Sequence, residues 1–298
     1  MDDIYNDTAL NSSVNGILYV VATPIGNMAD ITLRAIQTLK DVAFIAAEDT
    51  RHTRRLLMHY AIHNSMISLH EYNENQRSGN LVKHLKRGES IALVSDAGTP
   101  TLSDPGYRLI KKAIAAGIRV VPIPGASAVL ASLCASGLPT DAYVFLGFLP
   151  RKEGKRQKIL KSLANEDKTM VFFESPRRIS VLINDLRETL GDRQGVLSRE
   201  MTKRYEEFVR GNLTDILDVL TGRPEIKGEC TLVVKGGAKQ EVPGAEALRE
   251  EITQGLYSDG LRLSSLVKNI ADRYGLPKKQ VYAEAQKIKD HLQKKRSG

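Results

Sequence analysis

The chain has 298 residues, 42% of them apolar and 26% charged, with two cysteines and a net charge of +8. These values suit two globular domains with room for a small third piece, and they exclude a disordered or fibrous chain. Apolar runs such as residues 17–22 are far too short to cross a bilayer.

Residues 1–16 are expected to form a disordered tail; its acidic start (Asp2, Asp3, Asp7) is the opposite of a secretory signal's basic one. Strands are then predicted at 17–22, 42–47, 66–69, 91–94 and 119–121, separated by helical stretches near 32–40, 53–60, 75–86 and 105–116. That alternation predicts a mainly parallel sheet covered by helices, an α/β domain over 17–123. Asp104 suits the N-cap of the fourth helix, Pro105 its first position and Gly117 the residue after its end.

A helix over 126–136 opens a second α/β domain, 124–237. Here strands at 143–147, 169–173, 195–198, 207–210 and 231–235 cluster more, with helices near 156–163, 178–190 and 213–220, so a mixed sheet is expected. Residues 236–244 read as a linker. Three helical segments follow, near 245–254, 264–274 and 278–294, the last two joined at Gly275-Leu276-Pro277. They read as a helix-turn-helix or as a helical hairpin packed on the body. The predicted fold class is therefore α/β: two α/β domains, plus a small basic helical module over 245–298.

Cys134 and Cys230 each sit in an apolar stretch and read as small buried side chains, so no disulfide framework is implied and a reducing cytoplasm fits. The positive charge is unevenly placed. From Leu261 to Gly298 there are ten basic and three acidic residues, so this tail carries +7 of the total +8. A second basic cluster comprises Arg151, Lys152, Lys155, Arg156, Lys158 and Lys161. Two such clusters favour a polyanionic partner.

Common signatures are missing: no G-x-G-x-x-G after the first strand, no phosphate-binding loop ending in Lys-Ser or Lys-Thr, no H-E-x-x-H and no G-x-S-x-G. His70-Glu71 with Glu74 lacks a third well-spaced ligand, so no metal site is expected. What stands out is three loops at strand ends: "TPIGN" (23–27), "SDAGTPTLSDPG" (95–106) and "PIPGASA" (122–128). In an open α/β sheet they gather where ligands bind, and their small residues let backbone approach a ligand closely. Asp96 reads as a ligand contact. The helix start after Gly125 offers free N–H groups to an anion.

These loops, with "AAEDTRHTRRLL", "HEYNE", "FLGFLPRK", "FFESPRR" and "SREMTKRYEEFVRG", resemble the tetrapyrrole methylase superfamily over about residues 17–237. Within it the chain is most similar to the branch that methylates the ribose 2′-oxygen of a cytidine in small-subunit ribosomal RNA. The resemblance implies S-adenosylmethionine in a cleft between two α/β domains, held by Pro24, Gly26, Asp96, Ala97, Gly98, Thr99, Ser127, Ala128, Phe173, Glu174, Thr231 and Leu232. It also implies ribosomal RNA, within the small subunit, as partner, and a homodimer.

A ribose hydroxyl needs a general base, or a cation favouring the alkoxide, to become a good nucleophile. Lys203 with Glu200 and Glu206 offers both kinds of group, although these residues also read as a solvated charged edge. Arg51, Arg54, Arg55, His70, Asn73, Arg151, Lys152, Lys155, Arg156 and Arg177 are candidates for RNA contact, chiefly to phosphates. Two rivals stand beside this reading: a tetrapyrrole- or protein-modifying methyltransferase of the same fold, and a non-enzymatic nucleic-acid-binding protein using the terminal helices.

Overall fold

The computed structural model describes residues 15–237, 243–257, 262–274 and 276–296. The expected N-terminal tail lies almost wholly outside them.

The first sheet is entirely parallel, in the order β3-β2-β4-β1-β5. Its strands are β1 (Leu18–Val21), β2 (Phe44–Ala47), β3 (Met66–Ser68), β4 (Ile91–Val94) and β5 (Val120–Ile123). β2 and β4 are buried along their whole length, as strands covered on both faces must be. Helices α1 (Leu33–Asp41) and α2 (Thr50–His59) cover one face through Leu39 and Leu57. Helices α3 (Glu74–Lys86) and α4 (Tyr107–Ala115) cover the other through Leu81, Leu85 and Leu109.

Two departures of helix boundaries from the sequence reading have a clear physical cause. Asp49 caps α2, its Oδ1 accepting the Arg51 N–H at 2.8 Å, so the helix starts three residues early. Asp104 does not cap α4. The buried Glu74 does so instead: one carboxylate oxygen accepts the backbone N–H groups of Gly106, Arg108 and Leu109. A carboxylate from a neighbouring helix thus satisfies donors that a local cap usually takes.

The second sheet is mixed, in the order β6-β7-β10-β8-β9, with β6 and β7 parallel and the other pairs antiparallel. Its strands are β6 (Tyr143–Phe148), β7 (Thr169–Glu174), β8 (Gln194–Arg199), β9 (Glu207–Asn212) and β10 (Cys230–Val234). One face packs on α6 (Glu153–Ser162), α7 (Ile179–Leu190) and α8 (Leu213–Thr221) around Phe172, Ile183 and Ile216. The other receives α5 (Ala128–Ser136), with Val129 and Leu133 against Val171 and Val233. Cys134 is exposed on α5, contrary to the sequence reading: the core-facing positions of this helix are held by Val129, Ser132 and Leu133.

Helices α9 (Ala245–Tyr257), α10 (Leu263–Tyr274) and α11 (Lys278–Arg296) pack on one another around Ile252, Leu266, Ile270 and Val281. The expected fold class is borne out: two sheets with covering helices, followed by a helical unit with a core of its own.

Candidate active site

Three loops meet beyond the carboxyl ends of β1, β4 and β5. Thr23 and Gly98 exchange backbone hydrogen bonds of 2.9 and 3.0 Å, and the Thr99 hydroxyl donates to the Ala126 carbonyl at 3.3 Å. Gly98 has φ +76°, and a Cβ there would stand 3.3 Å from the Ile25 side chain. Thr101 and Ser103 hold φ of 75° and 71° in the same loop. Such strain, uncommon outside glycine, persists where the surroundings impose it, and it concentrates at functional sites.

The loops face the end of β7 and the start of β10 across a cleft of about 350 Å³. Of the residues assigned to the cofactor from sequence, Ala97, Gly98, Thr99, Ser127, Ala128, Phe173, Glu174 and Thr231 line it. Pro24, Gly26 and Asp96 instead line an adjoining cavity of about 240 Å³, together with His52, Arg55 and Lys203. Ile25, Ala97 and Glu229 belong to both walls, so the two spaces adjoin. Leu232 is a correction: alternation along β10 turns its side chain into the core of the second sheet. The Asp96 Oδ1 accepts the Asp49 N–H at 3.0 Å, tying the end of β4 to the start of α2.

The cleft is acidic. Burial and the nearby Glu48 carboxylate raise the Asp104 pKa to about 6, with Asp96 adding to the repulsion and a Ser95 hydrogen bond opposing it. Burial raises the Glu48 pKa too. Cys230 lies on the same wall, its thiol pushed up to about 11 by burial.

A second set of contacts joins the sheets. The Asn27 N–H donates to Thr202 Oγ1 at 3.0 Å. A Cβ on Gly26 would fall 2.5 Å from Lys203 Cγ, so the lysine stem lies directly over that glycine. The Lys203 ammonium donates to Glu200 at 2.8 Å and to Glu229 at 3.1 Å. Burial works against its charge, but these two carboxylates prevail and its pKa is raised. Lys203 lowers the Glu200 pKa in return. Glu200 and Thr202 have φ of 51° and 66°, so the backbone under Lys203 is strained as well.

Of the three expected catalytic residues, Lys203 lines the smaller cavity. Glu200 accepts the Glu229 N–H and the lysine, while Glu206 accepts the Thr202 N–H at 2.6 Å. Both carboxylates shape the loop. Sequence reasoning missed Glu229, whose contact with Lys203 spans a distant stretch of chain.

The expected RNA contacts divide. Arg51 is 88% exposed and paired with Asp49 at 2.7 Å. Arg54 and Arg55 are exposed, and Arg55 lines the smaller cavity. Arg151, Lys152, Lys155 and Arg177 are exposed. His70 and Asn73 are directed at their own turn: Asn73 accepts the His70 N–H and its amide lies 3.0 Å from His70 Nε2. Arg156 is a correction. It is buried, its Nε 2.5 Å from the Asp185 carboxylate, because the helical period places it beside Leu160 on the core face of α6.

Two parallel-to-mixed α/β halves enclosing a cleft define a class, and residues 17–217 match its family, Tetrapyrrole (Corrin/Porphyrin) Methylases, to which the chain belongs. Solved members share the fold. Uroporphyrin-III C-methyl transferase from Thermus thermophilus, solved with S-adenyl homocysteine, is 21% identical with a TM-score of 0.52, over 74% of this chain and 97% of that one. Diphthine synthase is 16% identical with a TM-score of 0.57, over 74% and 90%. The particular branch is that of ribosomal RNA small subunit methyltransferase I. The relative of that name from Synechocystis sp. is 45% identical over 90% of this chain and 96% of its own length. That from Bacillus subtilis is 42% identical over 90% and 93%.

Proposed function

We propose that this protein transfers the methyl group of S-adenosylmethionine to the 2′-oxygen of a cytidine ribose in small-subunit ribosomal RNA. The observation that carries the reading is the juxtaposition of two unlike spaces: an acidic, largely apolar cleft that shares a wall with a cavity presenting Lys203, Arg55 and Glu229. Residues 17–123 and 124–237 act as the two domains that form it. The relatives' names favour RNA over the tetrapyrrole and diphthine chemistries found on the same fold.

The cleft fits the donor. Its volume lies in the usual range for small-molecule sites, about 300–1,000 Å³. The first N–H groups of α5, capped by Ser127, suit a carboxylate end. Asp104 suits a cation, and Phe173 with Val129 provides an apolar wall for an aromatic ring. The cofactor supplies an electrophilic methyl carbon on a sulfonium. In the adjoining cavity Lys203 holds a positive charge beside the developing alkoxide, and Glu229, its partner, accepts the hydroxyl proton. Fixing donor and acceptor in line contributes about 7–11 kcal/mol. Arg55, Arg151, Lys152, Lys155 and Arg177 contact phosphates, and the basic C-terminal helices add a further grip. The working form is a cytoplasmic homodimer acting on the small subunit.

Labelled methyl transfer to small ribosomal subunits, followed by alkaline mapping, tests this. One alkali-resistant cytidine is expected. Label appearing in a tetrapyrrole, and in no RNA, would sink the proposal.

A further inference from the structure

Phe148, the last residue of β6, keeps 58% of its surface exposed. Isolated exposed apolar residues are ordinary, but this one is placed. A bulge between Phe145 and Gly147 re-aims the strand end. Gly147 has φ +60°, and a Cβ there would meet Ser103 Oγ at 2.8 Å, so the strand end is also pinned against the opposite half. The Phe173 ring backs Phe148 with centroids 5.6 Å apart.

Phe148 stands between two spaces. It lines the cofactor cleft and a further cavity of about 610 Å³, and the two also share Glu174 and Ser175. The larger cavity carries three arginines. Arg178 is committed, donating to the Leu149 carbonyl at 3.0 Å and lying 2.8 Å from Glu174. Arg151 and Arg177 are exposed, and their guanidinium groups have no ion-pair partner among the described residues. The loop carrying Arg151 is nonetheless fixed, because buried Arg156 donates to the Arg151 carbonyl at 3.2 Å while holding Asp185. An aromatic face beside two exposed arginines, one of them on a fixed loop, matches a nucleotide: a base for the ring and a phosphate for the forks.

We infer that Phe148, Arg151 and Arg177 form a subsite for a second nucleotide of the RNA, a neighbour of the one that is methylated. This rests on the RNA reading above. The neighbouring base stacks on Phe148 and its phosphate bridges Arg151 and Arg177, which holds the strand splayed across the mouth of the cleft. Stacking of this kind tolerates any base, so the subsite contributes grip and register, while base identity is read elsewhere.

The test uses the full chain with small ribosomal subunits. Phe148→Ala should raise the KM for the subunits roughly tenfold, the effect typical of losing one stacked base, with S-adenosylmethionine affinity by calorimetry unchanged. Phe148→Tyr should restore binding. Replacing Arg151 and Arg177 together by alanine should reduce the slope of log affinity against log salt by about 0.7, the single-strand value for the one phosphate they share. An unchanged KM in Phe148→Ala, with methyl transfer intact, overturns the subsite and leaves the enzymatic reading standing. Loss of cofactor affinity in its place overturns it too, by assigning the ring to the donor. No transfer to subunits by the unaltered protein overturns the RNA reading and the subsite together.

Discussion

Replacing Arg156 by alanine separates the two roles that a basic residue in this cluster can have. Its guanidinium and the Asp185 carboxylate are 8% and 11% exposed, and Gln157 supplies a further bond to the same carboxylate at 3.0 Å. Removing one partner strands a buried charge, which costs about 3–5 kcal/mol. At about 2–4 °C per kcal/mol for a cooperative unit of about 220 residues, the two α/β domains unfolding together, Tm should fall by about 6–20 °C. Asp185→Leu should fall comparably. The pair Arg156→Met with Asp185→Leu should be milder than the sum of the single variants, because no lone charge remains. Scanning calorimetry reads the stability, and RNA titration over a salt series reads the charge contact. An Arg156→Ala protein with an unaltered Tm and a salt slope reduced by about 0.7, the loss expected of a phosphate ligand, would refute the structural assignment.

Further outcomes follow from the cleft. Between about pH 4 and 6 the folded state holds a proton on Asp104 that the unfolded chain has lost, since its pKa rises from 3.8 to about 6. Stability should therefore fall as pH rises through that window, and Asp104→Asn should flatten the decline in urea titrations. Cofactor affinity should rise from pH 5 to 7 in the parent as the carboxylate forms, and be weaker and level in the variant, by calorimetry. Gly26→Ala should push the Lys203 stem aside and reduce kcat tenfold or more, with Tm nearly unchanged; full activity would remove Lys203 from the chemistry. Exposed Cys134 should react fast with a disulfide reagent at pH 8 and buried Cys230 slowly, so Cys134→Ser should abolish the rapid phase.

The sheets were legible in the sequence because their strands are short apolar runs separated by periodic helices, and Gly, Pro and Asp mark the loops between them. β2 and β4 were readable as fully buried strands for that reason. The cap of α4 was not legible: Asp104 satisfied every local rule, yet Glu74, from another helix, took the donors. Once that happened, Asp104 was left in the cleft beside Glu48, where its proton is held by repulsion and burial. Arg156 was readable in principle, being one turn from Leu160 and therefore on the core face of α6, but its charge drew the assignment to the surface. Glu229 could not be weighed from sequence, because its importance comes from the Lys203 loop folding back over it from a distant stretch of chain.

The left-handed backbone at Thr101, Ser103, Glu200 and Thr202 flanks the reaction space from both halves of the molecule. Each such residue is held about 1–3 kcal/mol above a relaxed geometry. Glycine or asparagine at Thr101 or Ser103 relieves that strain directly, whereas at Glu200 and Thr202 it also removes the bonds to Lys203, Glu229 and Asn27. Laboratory evolution guided by heat tolerance alone will be drawn to the first pair, and will relax the walls that hold donor and acceptor in line. In this fold the map of the easiest gains in robustness overlaps the map of what turnover needs, so a screen for hardier variants has to score methylation at every round.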